Sequence, residues 1–278
     1  MTLSSDNVSM KPLPDTPLSD PPPPYEAKPR DPAAAGVNTS ATPRSSPSPL
    51  PSQLQVARQF PPAFNVYSQG FSRTMLLGEH QNQPFYAMSI HSGFSSSPPI
   101  VLHSGPSDRF PPLASVEHHS FSSRMSVTVP PGPPRTPGGE PIIELENMMD
   151  FPSSTYAFSI GVGPKCERVE QFQWRTSSGE AIAVLDGRSR GWKLVRLARS
   201  VPHNAGPHTF KGGDGKEVVA AWTDAGMSMS KVAKFAFMGS GMTGELGERW
   251  AIMAVISGLA IFERQRQRRR HNTHSHAG

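Results

Sequence analysis

Trp250-Ala-Ile-Met-Ala-Val-Ile-Ser-Gly-Leu-Ala-Ile-Phe262 is the one strongly apolar run in this 278-residue chain, and it leads through Glu263 into five arginines between Arg264 and Arg270. No proline interrupts Glu245 to Glu263. Trp250, Ile252, Met253, Ile256, Leu259, Ala260 and Phe262 fall almost all round a helical wheel. A helix apolar on every side is surrounded by protein or by lipid, and does not lie on a surface. Crossing a ~30 Å hydrocarbon core takes about 20 apolar residues. The pair Glu248-Arg249 before the run and Glu263 after it leave 13 residues, roughly 20 Å at 1.5 Å per residue. The run is therefore expected to be a core helix, over 245–266, and not a transmembrane span.

The glycines just upstream offer a different reading. Gly239-Ser-Gly241-Met-Thr-Gly244 matches G-x-G-x-x-G, follows the strand-like AKFAFM and precedes a helix. A dinucleotide site also needs a second parallel strand after that helix and an acid about 20 residues on. Only an arginine- and histidine-rich segment follows Phe262 here. The βαβ unit is not expected to close, no cofactor is expected, and the glycines read as a strand-to-helix connection.

The body of the chain reads as short strands rich in Val, Ile, Phe, Tyr and Trp. They are FNVYS (64–68), QPFYAMSI (83–90), PIVLHS (99–104), SSRMSVTV (122–129), TYAFSIGV (155–162), VEQFQWRT (169–176), EAIAVLD (180–186), WKLVRLARS (192–200), EVVAAWTD (217–224) and AKFAFMG (233–239). Ser178-Gly179, Asp186-Gly187 and Gly212-Gly213-Asp214-Gly215 supply the positive-φ positions of tight reversals. Alternation such as Phe172/Trp174 and Phe235/Phe237 gives one inward face. Pro130 to Pro141 (PPGPPRTPGGEP) suits neither strand nor helix and is expected to be a long exposed loop.

Before Phe60 the composition differs. From Met1 to Gln59 the only aromatic is Tyr25, amid Ser, Pro, Thr and Ala. Such a stretch buries too little apolar area to offset about 1–2 kcal/mol of backbone entropy per residue. Residues 1–59 are expected to form a disordered arm, and 271–278 a disordered His-rich tail. With 31 prolines and 36% hydrophobic residues the chain as a whole is too proline-rich to be packed uniformly. Its net charge of +5 resides almost entirely between Glu263 and Gly278, so no basic face for specific nucleic-acid binding is expected. One cysteine, Cys166, excludes an internal disulfide framework and a cysteine zinc cage, and points to a reducing, intracellular compartment. Met1 to Asp20 has no apolar stretch of the kind a secretory signal carries.

Pro22-Pro23-Pro24-Tyr25 is a PPxY match. Pro22 and Pro23 preset a polyproline II helix that docks between aromatic rings of a WW domain, with Tyr25 filling the neighbouring slot. Pro130-x-x-Pro133-x-Arg135 has the pattern of an SH3 ligand. Thr16-Pro17, Thr42-Pro43, Ser46-Pro47 and Ser48-Pro49 are acceptors for proline-directed phosphorylation. Arg264, Arg266, Arg268, Arg269 and Arg270 are candidates for contact with anionic lipid, nucleic acid or a nuclear import receptor, set against the plainer role of complementing the helix dipole. His271, His274 and His276 have no carboxylate or cysteine beside them and are read as bystanders, not metal ligands. G-x-S-x-G, H-E-x-x-H and P-loop patterns are absent, so no enzymatic activity is expected.

Many short strands closed by one apolar C-terminal helix resemble the tubby C-terminal-like superfamily, which includes the LURP-one-related proteins and phospholipid scramblases. The strand Trp192 to Arg199, the strand Glu217 to Trp222 and the helix Arg249 to Arg270 carry the resemblance, over about 60–270. It implies a mainly β (α+β) fold: a closed antiparallel barrel of about twelve strands around a central C-terminal helix. A barrel interior is also where an all-round apolar helix finds partners without lipid. Some family members bind phosphoinositides through basic barrel residues, for which Lys193, Arg196 and Arg199 are the candidates here. The functional expectation is a non-enzymatic adaptor with a WW-binding arm; the alternative is a peripheral membrane protein that binds anionic phospholipids.

Overall fold

A computed structural model describes residues 59–70, 72–91, 95–119, 124–134, 136–150, 153–201 and 209–275. Ten strands follow one another round the sheet: β1 (Ala63–Ser68), β2 (Thr74–His80), β3 (Gln83–Ile90), β4 (Ile100–His103), β5 (Pro112–His118), β6 (Met125–Thr128), β7 (Ile142–Asp150), β8 (Ser153–Val162), β9 (Arg168–Ser177) and β10 (Gly191–Ser200). Each pairs antiparallel with its neighbour in sequence. After β11 (Phe210–Lys211), β12 (Lys216–Asp224) and β13 (Lys231–Phe237) complete the circuit. β12 pairs with β10, from Gly191↔Thr223 to Arg196↔Glu217. β13 pairs with β1, from Ala63↔Ala236 to Tyr67↔Lys231. The ring closes with twelve antiparallel strands, and an even number lets every neighbour run antiparallel. The two-residue β11 folds back on β12 outside the ring.

Three helical segments remain: α1 (Glu180–Ala183), α2 (Ser240–Thr243) and α3 (Glu248–Ser275). α3 threads the barrel. Every residue from Ile252 to Glu263 is buried, and inward side chains of the strands meet it from all sides. Trp174, Trp222 and Phe235 lie so close to Gly258 that an added Cβ would sit 3.2–3.4 Å from their rings. Gly258 is therefore a cut-out for wall aromatics. One residue before it, Ser257 Oγ accepts the Trp174 indole N–H at 2.9 Å and donates to the Met253 carbonyl at 2.6 Å. The small pair Ser257-Gly258 within the apolar stretch of the helix thus fits one wall tryptophan sterically and satisfies its only donor. Large apolar side chains buried this way each contribute about 1.5–3 kcal/mol.

The expected architecture is present: a closed twelve-strand barrel around the C-terminal helix. Several details differ. EAIAVLD is not a strand. Ala181, Ile182 and Leu185 recur at helical spacing, and α1 with the turn that follows it buries them against Val218 and Ala221 on the outer face of β12. β2, β5, β7 and β11 are strands outside the expected set. β7 interleaves Glu144 and Glu146 with inward Ile143, Leu145 and Asn147, a half-buried alternation whose charges mask it. The helix starts at Glu248, not 245, because Gly244 and Gly247 take left-handed φ of 81° and 84°. It then runs on to Ser275, so 271–275 is helix and not a disordered tail. The arm expected over 1–59 lies outside the described residues, apart from Gln59.

Candidate functional site

The barrel has two unlike mouths. α3 begins at the proximal mouth and leaves through the distal one.

At the proximal mouth, charges are buried and paired. Arg196, on the inward alternation of β10 after Trp192 and Leu194, is only 4% exposed. Its Nε and Nη2 donate to the two carboxylate oxygens of Glu170 at 2.6 and 2.8 Å. Its Nη1 donates to Ser240 Oγ and to Glu245 Oε1, both at 3.0 Å. Glu217 in turn accepts the Ser240 N–H at 2.8 Å and its hydroxyl at 2.9 Å. Arg199 joins from the rim, 3.1 Å from Glu245. Burial by itself would depress the Arg196 pKa, but the hydrogen bonds to Glu170 and Glu245 outweigh it and raise it. This network ties β9, β10 and β12 to the connection that leads into α3.

A second device lies at the same mouth. The Arg249 guanidinium donates to the carbonyls of Pro130 (2.8 Å), Gly138 (2.5 Å) and Glu140. The loop over 130–141, expected to be freely exposed, is latched by the first turn of α3 at three points. Its residue Arg135, part of the SH3-ligand pattern, is outside the described residues. The chain enters the barrel here too: the Tyr86 hydroxyl donates to the Gln59 carbonyl, and Phe60 packs 4.7 Å from the Tyr86 ring.

At the distal mouth, α3 continues for twelve residues past Glu263, about 18 Å at 1.5 Å per residue. Arg264 lies 6.0 Å over the Tyr156 ring, Arg266 is half-buried beside Met75, and Arg269 Nη2 meets Asp224 at 2.7 Å. Arg268 and Arg270 are exposed. Glu263 is 3% exposed, and its Oε2 has no hydrogen bond, the nearest Arg266 nitrogen being 4.0 Å away. Burial pushes its carboxyl up, against the opposing pull of Arg266. The His118 imidazole at this mouth, although its residue is exposed, is lowered by partial desolvation, and the charge of Arg264 adds to the effect. The β12–β13 hairpin stands beside the helix, with Met227 and Met229 at its tip.

The eight candidate lipid contacts therefore divide. Arg196 is corrected outright: it is a buried structural cation, and no membrane surface reaches it. Arg199 sits at the proximal mouth, engaged by Glu217 and Glu245. Lys193 faces outward near the other end of β10, its pKa lowered by burial and then by Arg175. Arg264, Arg266, Arg268, Arg269 and Arg270 share the distal mouth. The buried helix between the two groups spans about 20 Å, so the eight residues do not form one patch. The period-2 pattern Trp192, Leu194, Arg196 was the available sign that Arg196 points inward. Pro22, Pro23 and Tyr25 lie outside the described residues.

Two serine–histidine pairs invite a catalytic comparison. Ser89 Oγ lies 2.9 Å from His103 Nε2, and His103 Nδ1 is 2.8 Å from the Phe110 carbonyl. Both side chains are buried, Ser89 at 5% and His103 at 7% exposure. His119 Nε2 is 2.6 Å from Ser126 Oγ, but there the serine donates to Glu144. The acid then holds the hydroxyl instead of orienting the imidazole, the reverse of what nucleophile activation needs. Among the described residues, no group of three or more His, Cys, Asp or Glu is arranged to hold a metal ion, and no helix is long and apolar enough to cross a membrane. Depressions of about 380 and 740 Å³ lie on the outer wall, over β7–β8 and beside β1 and β13. No family model matches this chain, and no curated protein or solved structure does.

Proposed function

We propose that this chain is a non-enzymatic binding protein of the cytoplasm: a tubby-like barrel scaffold that carries recognition elements outside its core. The observation that carries this reading is the filled interior. α3 occupies the space where many barrels hold a ligand, with Met253, Ala254, Val255, Ile256, Ala260 and Ile261 fully buried against the wall. Recognition is thereby left to the exterior and the appended segments. The tubby-like resemblance belongs to the same proposal and is supported by the twelve strands around a C-terminal helix. The single thiol, Cys166, buried and free, supports a reducing compartment.

In this reading Pro22, Pro23 and Tyr25 dock a WW domain, and the barrel is the body on which that arm is mounted. Pull-down of the full chain by a WW-domain array, with Tyr25→Ala as control, tests it. Selective loss with the variant supports the adaptor role; equal recovery of both forms ends it.

A second reading is favoured by the distal mouth: peripheral association with anionic phospholipid through the arginines of the projecting helix. Vesicle sedimentation at low salt, abolished at high salt, is the expected behaviour, because exposed charges are screened beyond ~8–10 Å at physiological ionic strength. Absence of binding at low salt overturns it.

A further inference from the structure

Among the described residues, Met227 and Met229 are the two fully exposed large apolar side chains, at 107% and 104%, where the next most exposed, Ile142, is at 59%. They sit on one turn, Gly226 to Ser230, between β12 and β13. That turn is held in shape. Ser228 N–H donates to the Gly226 carbonyl at 2.7 Å, and Lys231 N–H to Ser228 Oγ at 3.0 Å. Its base closes through Ala225 N–H to the Val232 carbonyl, and Ser68 N–H bonds the Ser230 carbonyl from the neighbouring β1. Two apolar side chains are thus presented to solvent by an ordered hairpin, which folding alone does not require.

The surroundings say what such a tip fits. Asp224, at the foot of the hairpin, is the residue that Arg269 binds at 2.7 Å, so the tip and the arginine-bearing end of α3 are fastened side by side. Arg73, next to the same end of β1, is exposed, as are Arg268 and Arg270. The face therefore combines an apolar protrusion with a flanking set of cations. An anionic bilayer has the complementary order: negative headgroups outside, an acyl phase beneath. A protein partner would be better matched by anchors at the centre of a broad packed patch than by two side chains on a projecting turn. Methionine, unbranched and polarisable, suits the irregular acyl boundary.

We infer that the β12–β13 hairpin is a membrane-insertion element: Met227 and Met229 enter the headgroup–acyl boundary of an anionic bilayer while the arginines of α3 engage its phosphates. The inference rests on the peripheral-membrane reading above and adds to it a depth of penetration and a named element. The folded barrel stays intact, and only the turn is submerged.

The test uses the full chain with phosphatidylcholine vesicles, with and without phosphatidylserine. In one arm an environment-sensitive fluorophore is attached at Met229→Cys, Cys166 being buried and protected from the reagent. Emission should rise and shift to the blue on phosphatidylserine vesicles and stay unchanged on phosphatidylcholine alone. In the other arm Met227→Ser with Met229→Ser should weaken sedimentation about tenfold, the scale of losing two partly buried thioether side chains. If the parent sediments but the fluorophore stays aqueous and the double variant binds equally well, insertion is wrong and the electrostatic reading survives. Equal affinity for soluble polyglutamate, which has charge but no acyl phase, also counts against insertion. If the parent fails to sediment at low salt, both fall together.

Discussion

The two mouths of the barrel use the same residue type for opposite ends. At the proximal mouth Arg196 and Arg249 are buried, each with several hydrogen bonds, and what they hold is the protein's own backbone and carboxylates. At the distal mouth Arg268 and Arg270 stand on a helix that has already left the barrel, facing solvent. An arginine's role here follows from whether acceptors are folded in around it. Counting positive charges along the chain cannot separate the two cases.

The contrast can be broken most severely at Arg196. Arg196→Met removes the buried cation shared by Glu170 and Glu217 and leaves each acid with only a more exposed arginine, Arg168 and Arg199 respectively. We expect a loss of about 3–5 kcal/mol in urea unfolding; a change below 1 kcal/mol would show that the network is not structural. Arg249→Ala, which frees three carbonyls of the 130–141 loop, should cost about 2–3 kcal/mol. It should also speed hydrogen exchange at Gly139 and Gly161, whose amides bond within that cap. Unchanged exchange there would mean that the loop is held without the latch.

Inside the barrel, Ser257→Ala leaves the Trp174 indole N–H unsatisfied in the core, at a cost of about 1–3 kcal/mol. In the Trp174→Phe background, which has no indole N–H to leave unpaired, Ser257→Ala should cost much less, and an equal cost in both backgrounds would argue against the pairing. Glu263 gives a pH-dependent test at the distal mouth. Its carboxyl is raised above the ordinary 4.5 by burial, so the folded state binds its proton more tightly than the unfolded chain. The contribution of this group is fully present below about 4.5 and declines as pH rises through the higher folded value. Glu263→Gln should therefore gain stability over the parent as pH rises towards neutrality, and a pH-independent difference would refute the assignment. The smallest effect belongs to Arg268→Gln, which should move stability by no more than about 0.5 kcal/mol.

Much of the fold was legible because the barrel's demands are local. Nine of the ten expected strand segments fall on β1, β3, β4, β6, β8, β9, β10, β12 and β13, since β-branched and aromatic runs bounded by turn chemistry leave few alternatives. EAIAVLD failed because seven residues are too few to separate a strand from a turn of helix; packing on β12 decided it. β7 escaped notice because its outward glutamates dilute the apolar signal. The candidate site was less legible. The arginine run after Phe262 is visible as charge, whereas nothing in the sequence marks Met227 and Met229, whose exposure belongs to the folded hairpin.

The sequence by itself determined that Trp250 to Phe262 is helical, apolar all round and too short for a bilayer, whereas the closed barrel around it was what the family resemblance implied. Those conclusions depend on periodicity and length, which are properties of neighbouring residues. Only the tertiary structure decided which cations are structural and which are presented. The partners of Arg196 come from residues 170, 240 and 245, and those of Arg249 from 130, 138 and 140. The register of the closed ring brings these distant segments together, and burial then makes each unpaired charge too costly to keep.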